Sequence, residues 1–398
     1  MKSWRSTKVK GRCAAWSVSV WLALLLWPGL SPAGLWRDPK VMELVVAGTD
    51  RLLNLDYQEA ERSFSRLGDL DSTGLLVPFY HAFVKLMRIE DREAAREEMD
   101  TFLTTMGSIT VRAEERLAQT PDDPDLLLFL GMVWGSKSMI DGVRGNYLSA
   151  YEGIKRTRRY LDLCLQHSPI RHDAYYGLGL YNYTLSRISW YFRPLVHIVL
   201  PPGDRERGLR ELAVASEQGT ATRMLAKFAL LQTYTGLEKD YGRALPLAEE
   251  LLRRFPGNPE IYFLAALVYS EQGHHEEALE VGRRIRTNLE QERHHFKREM
   301  LPRYLQLMGK VHMDLGEYST ALNFFRKTID QPTTRYAWVT AWAWTRTGMI
   351  YDLLGQRGEA TRSYRMALAV ETDGIAKDTA RQYLNEPYRK ETAQRSAP

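Results

Sequence analysis

The sequence contains little cysteine, and this excludes a fold held together by disulfides. Its 398 residues include only two cysteines, Cys13 and Cys164. Cys13 lies in a leader-like segment, so no internal disulfide can form in the remainder of the chain. With 44% hydrophobic residues, a chain of this length can bury a core without crosslinks. Cys164 falls on an apolar helix stripe, and we expect a packed thiol.

An excess of one charge sign is also missing once the first residues are set aside. The formal net charge is +5, from 54 basic and 49 acidic residues. Five of the basic residues lie within 1–12 and residues 13–33 are uncharged, which leaves 49 of each sign from Gly34 onward. A nucleic-acid-binding protein needs a basic face. The balance argues against such binding, and the basic cluster at 155–159 is interpreted as a solvated helix face.

The motifs of common catalytic and cofactor sites are absent. The pair Gly177 and Gly179 has no third glycine, no following lysine and no preceding strand, so it predicts no phosphate-binding loop. The histidine doublets at 274–275 and 294–295 lack the spacing of a zinc hydrolase. No Gly-x-Ser-x-Gly elbow is present. We therefore expect no enzymatic activity, no metal and no cofactor.

Residues 1–33 have the layout of a secretory signal peptide. Basic residues occupy the first 12 positions, an apolar run follows to Leu26, and Ser31 and Ala33 precede a cleavage point before Gly34. The apolar run is short for a membrane-spanning helix, although an uncleaved anchor is the alternative. We expect an exported protein that is periplasmic or secreted.

A repeated pattern of small and aromatic residues organises the rest of the chain. Its clearest copy comprises Trp344, Thr347, Gly348, Tyr351, Gly355, Ala360, Tyr364 and Ala367. This spacing resembles the tetratricopeptide repeat, with Thr347 where leucine is usual. The small residues permit close packing of two helices, Gly355 permits the turn, and the aromatic side chains are expected to fill the space between neighbouring hairpins.

The pattern recurs in register around Gly309, Tyr262 and Phe228, and again near the start around Gly48. Because one hairpin cannot bury its apolar face alone, recurrence is required. The resemblance implies an all-α solenoid of about eight stacked hairpins forming a right-handed superhelix. We divide the chain into divergent repeats at 34–224, with an interruption at 136–146 and an apolar insertion at 190–204, four regular units at 225–373, and a polar tail at 374–398 that is expected to fray.

The apolar insertion interrupts one unit and carries a second resemblance. The flanking blocks 176–182 and 203–209 resemble a eukaryotic tetratricopeptide family linked to inclusion-body clearance, which implies a scaffold role. Residues 190–200 contain one charged residue, Arg193, and are too short to span a bilayer as a helix. We expect this segment to cover the chain's own groove, with a protein partner or a membrane surface as the alternatives.

The resemblance also implies which side chains line the inner groove of the superhelix. These are Tyr176, Leu180, Tyr183, Phe263, Leu267, Arg303, Gln306, Lys310, Trp342 and Met349. A groove that mixes aromatic, apolar and charged residues suits a peptide or an apolar helix. Packing of these residues against the insertion is the alternative. The lysine and asparagine positions of the chaperone-tail clamp are not matched, so the resemblance does not imply that activity.

Two functions follow from this sequence. The first is an exported or envelope-associated scaffold that binds a protein or peptide partner in its groove. The alternative is an accessory solenoid for envelope lipid or glycan handling, in which residues 190–200 contact lipid. Neither requires a small-molecule cofactor.

Overall fold

A computed structural model describes residues 35–36, 38–88, 92–187, 203–331, 335–372 and 374–389. The predicted leader at 1–33 and the apolar segment 190–200 lie outside these residues. Helices account for 80% of what is described, and this part of the chain contains no β-strand. Its seventeen α-helices are α1 (Pro39–Leu53), α2 (Tyr57–Ser65), α3 (Leu76–Arg88), α4 (Arg92–Gln119), α5 (Pro124–Val143), α6 (Tyr147–His167), α7 (Ala174–Ser186), α8 (Arg205–Gln218), α9 (Arg223–Thr233), α10 (Tyr241–Arg254), α11 (Pro259–Glu271), α12 (His275–Glu290), α13 (Leu301–Asp314), α14 (Tyr318–Ile329), α15 (Ala337–Leu353), α16 (Arg357–Ala369) and α17 (Ile375–Asn385).

Consecutive helices pack as pairs, from α1 with α2 to α15 with α16. The prediction of an all-α solenoid of about eight hairpins is therefore confirmed. The last helix, α17, packs against both α15 and α16 and ends the stack. Each hairpin buries its apolar face against its neighbours, as expected for a repeat protein.

Several hairpins begin with the same local signal, an acidic or amide residue followed by proline. Asp38, Asp123 and Asn258 each precede a proline at the first helical position. The side-chain oxygen of Asp38 accepts from the backbone N–H of Lys40 at 2.8 Å, and that of Asn258 accepts from Glu260 at 3.0 Å. These bonds satisfy helix N–H groups that have no partner within the helix, while the proline gives up an N–H that would be unpaired anyway.

Within each hairpin whose turn is described, one residue adopts a left-handed backbone conformation. Glycine takes this position in four of the turns, where the absence of a Cβ removes the steric cost. Leucine and lysine take it in the other two. The residues are Leu55, Gly145, Lys239, Gly273, Gly316 and Gly355.

A glycine facing an aromatic ring fixes the distance between the two helices of a hairpin. The glycine and the aromatic residue are 16 positions apart, and a Cβ on the glycine would overlap the ring. The pairs are Gly48 with Phe64, Gly309 with Phe325, and Gly348 with Tyr364. Tyr364 thus lies inside its own hairpin rather than only between hairpins as predicted, and it also reaches Tyr383 of α17.

The predicted interruption at 136–146 is wrong, because α5 runs through most of it to Val143. Two serines in this segment remain compatible with the helix. The hydroxyl of Ser136 donates to the backbone oxygen of Val133 at 2.9 Å, and that of Ser138 donates to Trp134 at 2.7 Å. Such bonds satisfy buried hydroxyls without ending the helix.

The expectation that the polar tail frays is wrong for its first part. Residues 375–385 form α17, and Tyr388 beyond it is buried. The carboxylate of Asp352 holds this end, since its Oδ2 accepts from the backbone N–H of Tyr388 and from the hydroxyl of Tyr364, both at 2.8 Å. Arg357 adds bonds to the backbone oxygens of Tyr383 and Leu384. The tail therefore caps the solenoid.

The first hairpin contacts the turn between α10 and α11, about 200 residues later, in what we call the closure contact. The backbone N–H of Gly257 donates to the side-chain oxygen of Asn54 at 2.8 Å. The side-chain amide of Asn258 donates to the backbone oxygen of Leu53 at 2.7 Å. Asp50 also pairs with Arg254 at the end of α10, and the ring of Tyr57 lies against that of His295 in the loop after α12. The stack of hairpins thus returns on itself.

Of the helices described, only α5 is long and apolar enough to cross a membrane. Its side chains from Leu126 to Leu130 are all buried in the core, and 61% of the apolar window is buried within the protein. Burial on this scale is typical of the core helix of a solenoid.

Candidate peptide-binding surface

The predicted groove residues lie on the first helices of four hairpins, α7, α11, α13 and α15. On α7, Tyr176 and Leu180 are half-buried and pack against the core formed by the middle of the chain. Burial raises the pKa of Tyr176 to about 12, so its phenol stays neutral. Both side chains keep part of their surface accessible.

Tyr183, the third predicted residue of α7, is committed to an internal contact. Its side chain is buried, and its hydroxyl donates to Oε1 of Glu238 at 2.6 Å. Glu238 lies in the π-helical turn that follows α9 and also accepts from Nε of Arg205 at 3.1 Å. Burial alone would raise the pKa of the Glu238 carboxyl, but the bonds from Arg205 and Tyr183 outweigh it and lower that pKa. In this arrangement Tyr183 offers little surface to a partner.

On α11 and α13, an arginine stacks on an aromatic ring and pairs with an acid. The Arg303 guanidinium lies 4.1 Å from the ring centre of Phe263 and 5.9 Å from that of Trp338. Two parallel bonds, of 2.6 and 2.9 Å, join it to Glu260. A bidentate pair of this type fixes the guanidinium plane. Phe263 is buried beneath it, and Leu267 is half-buried one turn later.

The last turns of α13 carry two buried polar side chains. Lys310 is paired with Glu271 at 3.0 Å and with Asp314. Asp314 also accepts a bond of 2.6 Å from the hydroxyl of Ser270. Gln306 is buried, and its side-chain nitrogen finds no acceptor among the described residues. The charge of Lys310 is therefore balanced within the protein. The side-chain N–H groups of Gln306, in contrast, have no acceptor among the described residues.

On α15, Trp342 and Met349 are half-buried, and a second arginine stacks on the tryptophan. The Arg346 guanidinium lies 4.5 Å from the ring centre of Trp342. Unlike Arg303, it makes no hydrogen bond or ion pair with any residue that the structure describes. Burial lowers the pKa of Arg346, an effect that the nearby Glu271 and Asp314 partly offset. This cation lacks a direct acceptor.

Two residues of this surface were missed by sequence reasoning. Trp338 is 38% exposed beside Arg303, and Arg346 stacks on Trp342. Both lie four residues from Trp342, so they share its helix face. That spacing was the signal in the sequence that could have identified them.

The role of the ten predicted residues in partner binding stays a prediction. Among them, Tyr183, Phe263, Gln306 and Lys310 have the least exposed surface.

The histidines that the sequence places near one another have separate partners. His167 approaches Asp122 at 3.3 Å, while His172 stacks on Tyr175. Within the described ranges, no three histidine, cysteine, aspartate or glutamate side chains come together in a way that could hold a metal ion.

Comparison with known families identifies one repeat. Residues 237–293 match the family model described as the tetratricopeptide repeat. The matched segment begins in the π-helical turn, includes α10, α11 and α12, and ends three residues after α12. No curated protein shows significant similarity to the chain.

Several solved structures resemble the chain at low identity. Yeast Tom70 is 14% identical, with 90% of this chain and 83% of that chain covered and a TM-score of 0.37. A tetratricopeptide repeat protein from Parabacteroides merdae is 11% identical, with 86% and 96% covered and a TM-score of 0.30. The human IFIT1 dimer with m7Gppp-AAAA is 12% identical, with 88% of each chain covered and a TM-score of 0.39.

Proposed function

We propose that this tetratricopeptide repeat chain is an exported scaffold that binds a protein or peptide partner on the face formed by α11, α13 and α15. Its repeats are of a type that commonly mediates protein interactions. The face carries Trp338, Arg303, Trp342 and Arg346. Tryptophan and arginine are the side chains most enriched at the energetic centres of protein interfaces.

The observation that carries the proposal is the state of Arg346. Arg346 is half-buried and has no acceptor among the described residues, so its N–H groups are available to donate to a carbonyl or carboxylate oxygen of a partner. Trp342 supports this by holding the guanidinium over its ring, 4.5 Å from the ring centre. The partly exposed Trp338 adds apolar surface beside it.

The test is affinity capture from native membranes, with crosslinking, using wild type and two variants. Arg346→Gln together with Trp338→Ala removes one charge and one exposed ring from the face. Met366→Ala changes an exposed apolar side chain on α16 and is the control. We expect the double variant to lose a protein that wild type and the control retain. Equal recovery by all three, with unchanged helix content, contradicts the proposal.

Export rests on the layout of residues 1–33, which are outside the described residues. Sequencing the native amino terminus tests it separately, and a mature chain starting near Gly34 in the exported fraction is expected. Intact Met1 in a membrane fraction would favour an anchor. Intact Met1 in the cytosol would contradict export.

The alternative, lipid or glycan handling through residues 190–200, relies on a segment that is not described.

A further inference from the structure

The residues that follow α17 are held to the solenoid by one side chain. We call Glu386 to Arg389 the terminal segment. Its residues Glu386, Pro387 and Arg389 are exposed, whereas Tyr388 is buried, with 8% of its surface exposed. The packing of this segment therefore depends on a single ring.

The sequence explains why the terminal segment leaves the helix. Proline disfavours helical backbone in the residue before it, so α17 ends at Asn385 and Glu386 is extended, with φ −121° and ψ 127°. Two residues later, the backbone N–H of Tyr388 donates to Oδ2 of Asp352 at 2.8 Å. The segment is thus held as an extended peptide is held, through a backbone hydrogen bond and a side chain.

The ring of Tyr388 belongs to an apolar cluster built by α13, α14 and α15, which we call the Tyr388 site. Its other members include buried and half-buried side chains of all three helices, namely Met313, Phe325, Ile350, Tyr318 and Met349. Met349 is one of the predicted groove residues. Methionine is flexible and polarisable, so a surface that contains it can adapt to different partners.

The Tyr388 site adjoins the charged residues of the candidate surface. Burial is the main cause that raises the pKa of the Tyr388 phenol to about 12. Asp314 and Glu271 are among the groups that raise this pKa further, and both also act on the guanidinium of Arg346. Tyr388 is itself one of the groups that act on Arg346. The terminal segment therefore lies near the cation that carries the proposed function.

Release of the terminal segment would leave Asp352 with its other partners. The side chain of Asp352 is 1% exposed, and Nη1 of Arg357 donates to both of its carboxylate oxygens at 3.0 Å. The hydroxyl of Tyr364 donates to it as well, at 2.8 Å. The helix α17 has separate contacts with α15 and α16. Release thus breaks one backbone hydrogen bond and exposes one ring, while α17 can stay in place.

We propose that the Tyr388 site binds an aromatic side chain of an extended partner peptide, which displaces the chain's own terminal segment. This inference rests on the proposed function, because it places the partner on the same part of the solenoid. The terminal segment shows the chemistry required, a ring for the apolar cluster and a backbone N–H for Asp352. Arg346 can then donate to a carbonyl oxygen of the same peptide. The bound terminal segment competes with the partner.

A peptide titration tests the site in the full-length chain with a defined probe. The probe is a synthetic peptide of residues 385–389 that carries a fluorinated tyrosine, and fluorine NMR follows it. We expect its signal to broaden with Tyr388→Ala, whose site is open, and to broaden much less with wild type or Tyr388→Phe, which keep a ring in the site. An unlabelled peptide with tyrosine should reverse the broadening, and one with alanine at that position should not.

Three results of the titration overturn the proposal. They are equal broadening with wild type and Tyr388→Ala, no broadening with either, and equal competition by the tyrosine and alanine peptides. Should Tyr388→Ala lose helix content, photo-crosslinking from position 388 of the full chain decides instead. A photoreactive phenylalanine derivative there should form an adduct with Met313 or Met349 of the same chain, and excess peptide should reduce it. An adduct that the peptide leaves unchanged overturns displacement.

Capture from native membranes then connects the site with the partner. Tyr388→Ala should recover about threefold or more of the protein captured by wild type, because the apparent affinity falls with the fraction of chains whose site is open. Tyr388→Phe should recover the wild-type amount. Unchanged or lower recovery with Tyr388→Ala overturns the competition. If no chain recovers a protein, the proposed function fails, whereas the titration still decides whether the site takes an aromatic side chain.

Discussion

The side-chain amide of Asn258 donates a hydrogen bond of 2.7 Å to the backbone oxygen of Leu53, 205 residues earlier in the chain. The same asparagine caps α11 through its oxygen, which accepts from the backbone N–H of Glu260. It is 5% exposed, so neither bond is easily replaced by water. One side chain thus starts a helix and joins the two ends of the closure contact.

Replacing Asn258 with aspartate separates these two roles. Asn258→Asp keeps the capping oxygen but removes the donor to Leu53, and it turns a carboxylate oxygen toward a backbone oxygen. We expect a loss of about 1–3 kcal/mol in the free energy of unfolding, the usual cost of an unsatisfied buried group. Urea unfolding followed by circular dichroism measures it. Asp240→Asn, at the exposed cap of α10, is the control, and an equal loss there would contradict the closure contact.

The glycine that faces Tyr364 should tolerate no side chain. In Gly348→Ala the new methyl group would overlap the ring, and the expected loss of stability is about 1–3 kcal/mol. Gly358→Ala, ten residues later on α16, has open space at the same atom. That control should be neutral or stabilising by up to about 1 kcal/mol, since alanine favours helix. The same sign for both variants in thermal unfolding would show that the ring is not the cause.

The thiol of Cys164 should be unreactive in the folded protein. Burial is the main cause that raises its pKa to about 12, and its Sγ–H donates to the backbone oxygen of Pro124 at 3.3 Å. At pH 8 the reactive thiolate is therefore scarce. With Cys13→Ser, we expect no reaction with a thiol reagent until urea unfolds the chain. Rapid reaction of the native protein would place Cys164 at the surface.

The contribution of Glu238 should depend on pH. Its pKa is lowered in the folded state, so its stabilising effect is present above the unfolded value of 4.5 and is lost as the pH falls below it. The destabilisation caused by Glu238→Gln, measured by chemical unfolding, should be larger at pH 7 than at pH 3. The exposed Glu217→Gln serves as the control. A constant difference across this range would contradict the ionised contact with Arg205.

The hairpins were predictable because each needs small residues at close contacts and turns. Gly309 and Gly348 gave the register, and both face the aromatic residue 16 positions later. The ends of individual helices were harder to predict. Residues 136–146 were expected to interrupt their unit, yet α5 continues to Val143, and the hydroxyls of Ser136 and Ser138 bond to backbone oxygens of the preceding turn. Polar composition likewise concealed α17, whose end is held by Asp352.

Long-range contacts were beyond prediction, because no local spacing encodes them. Nothing near Asn258 indicates that its amide meets Leu53 of the first helix. For the candidate surface, the helix positions were predictable but not their partners. Arg303 is neutralised by Glu260, whereas Arg346 on the next hairpin forms no ion pair with an acid in the described part of the chain. The difference depends on packing between hairpins.

The central claim is that a protein partner occupies the face of α11, α13 and α15. Photo-crosslinking in native membranes tests it most directly, with the photoreactive amino acid at position 342 in one chain and at 366 on α16 in another. We predict a discrete protein adduct from 342, reduced by Arg346→Gln, and none from 366. Adducts from 366 but not from 342, or adducts from 342 that Arg346→Gln leaves unchanged, would contradict the assignment of this face.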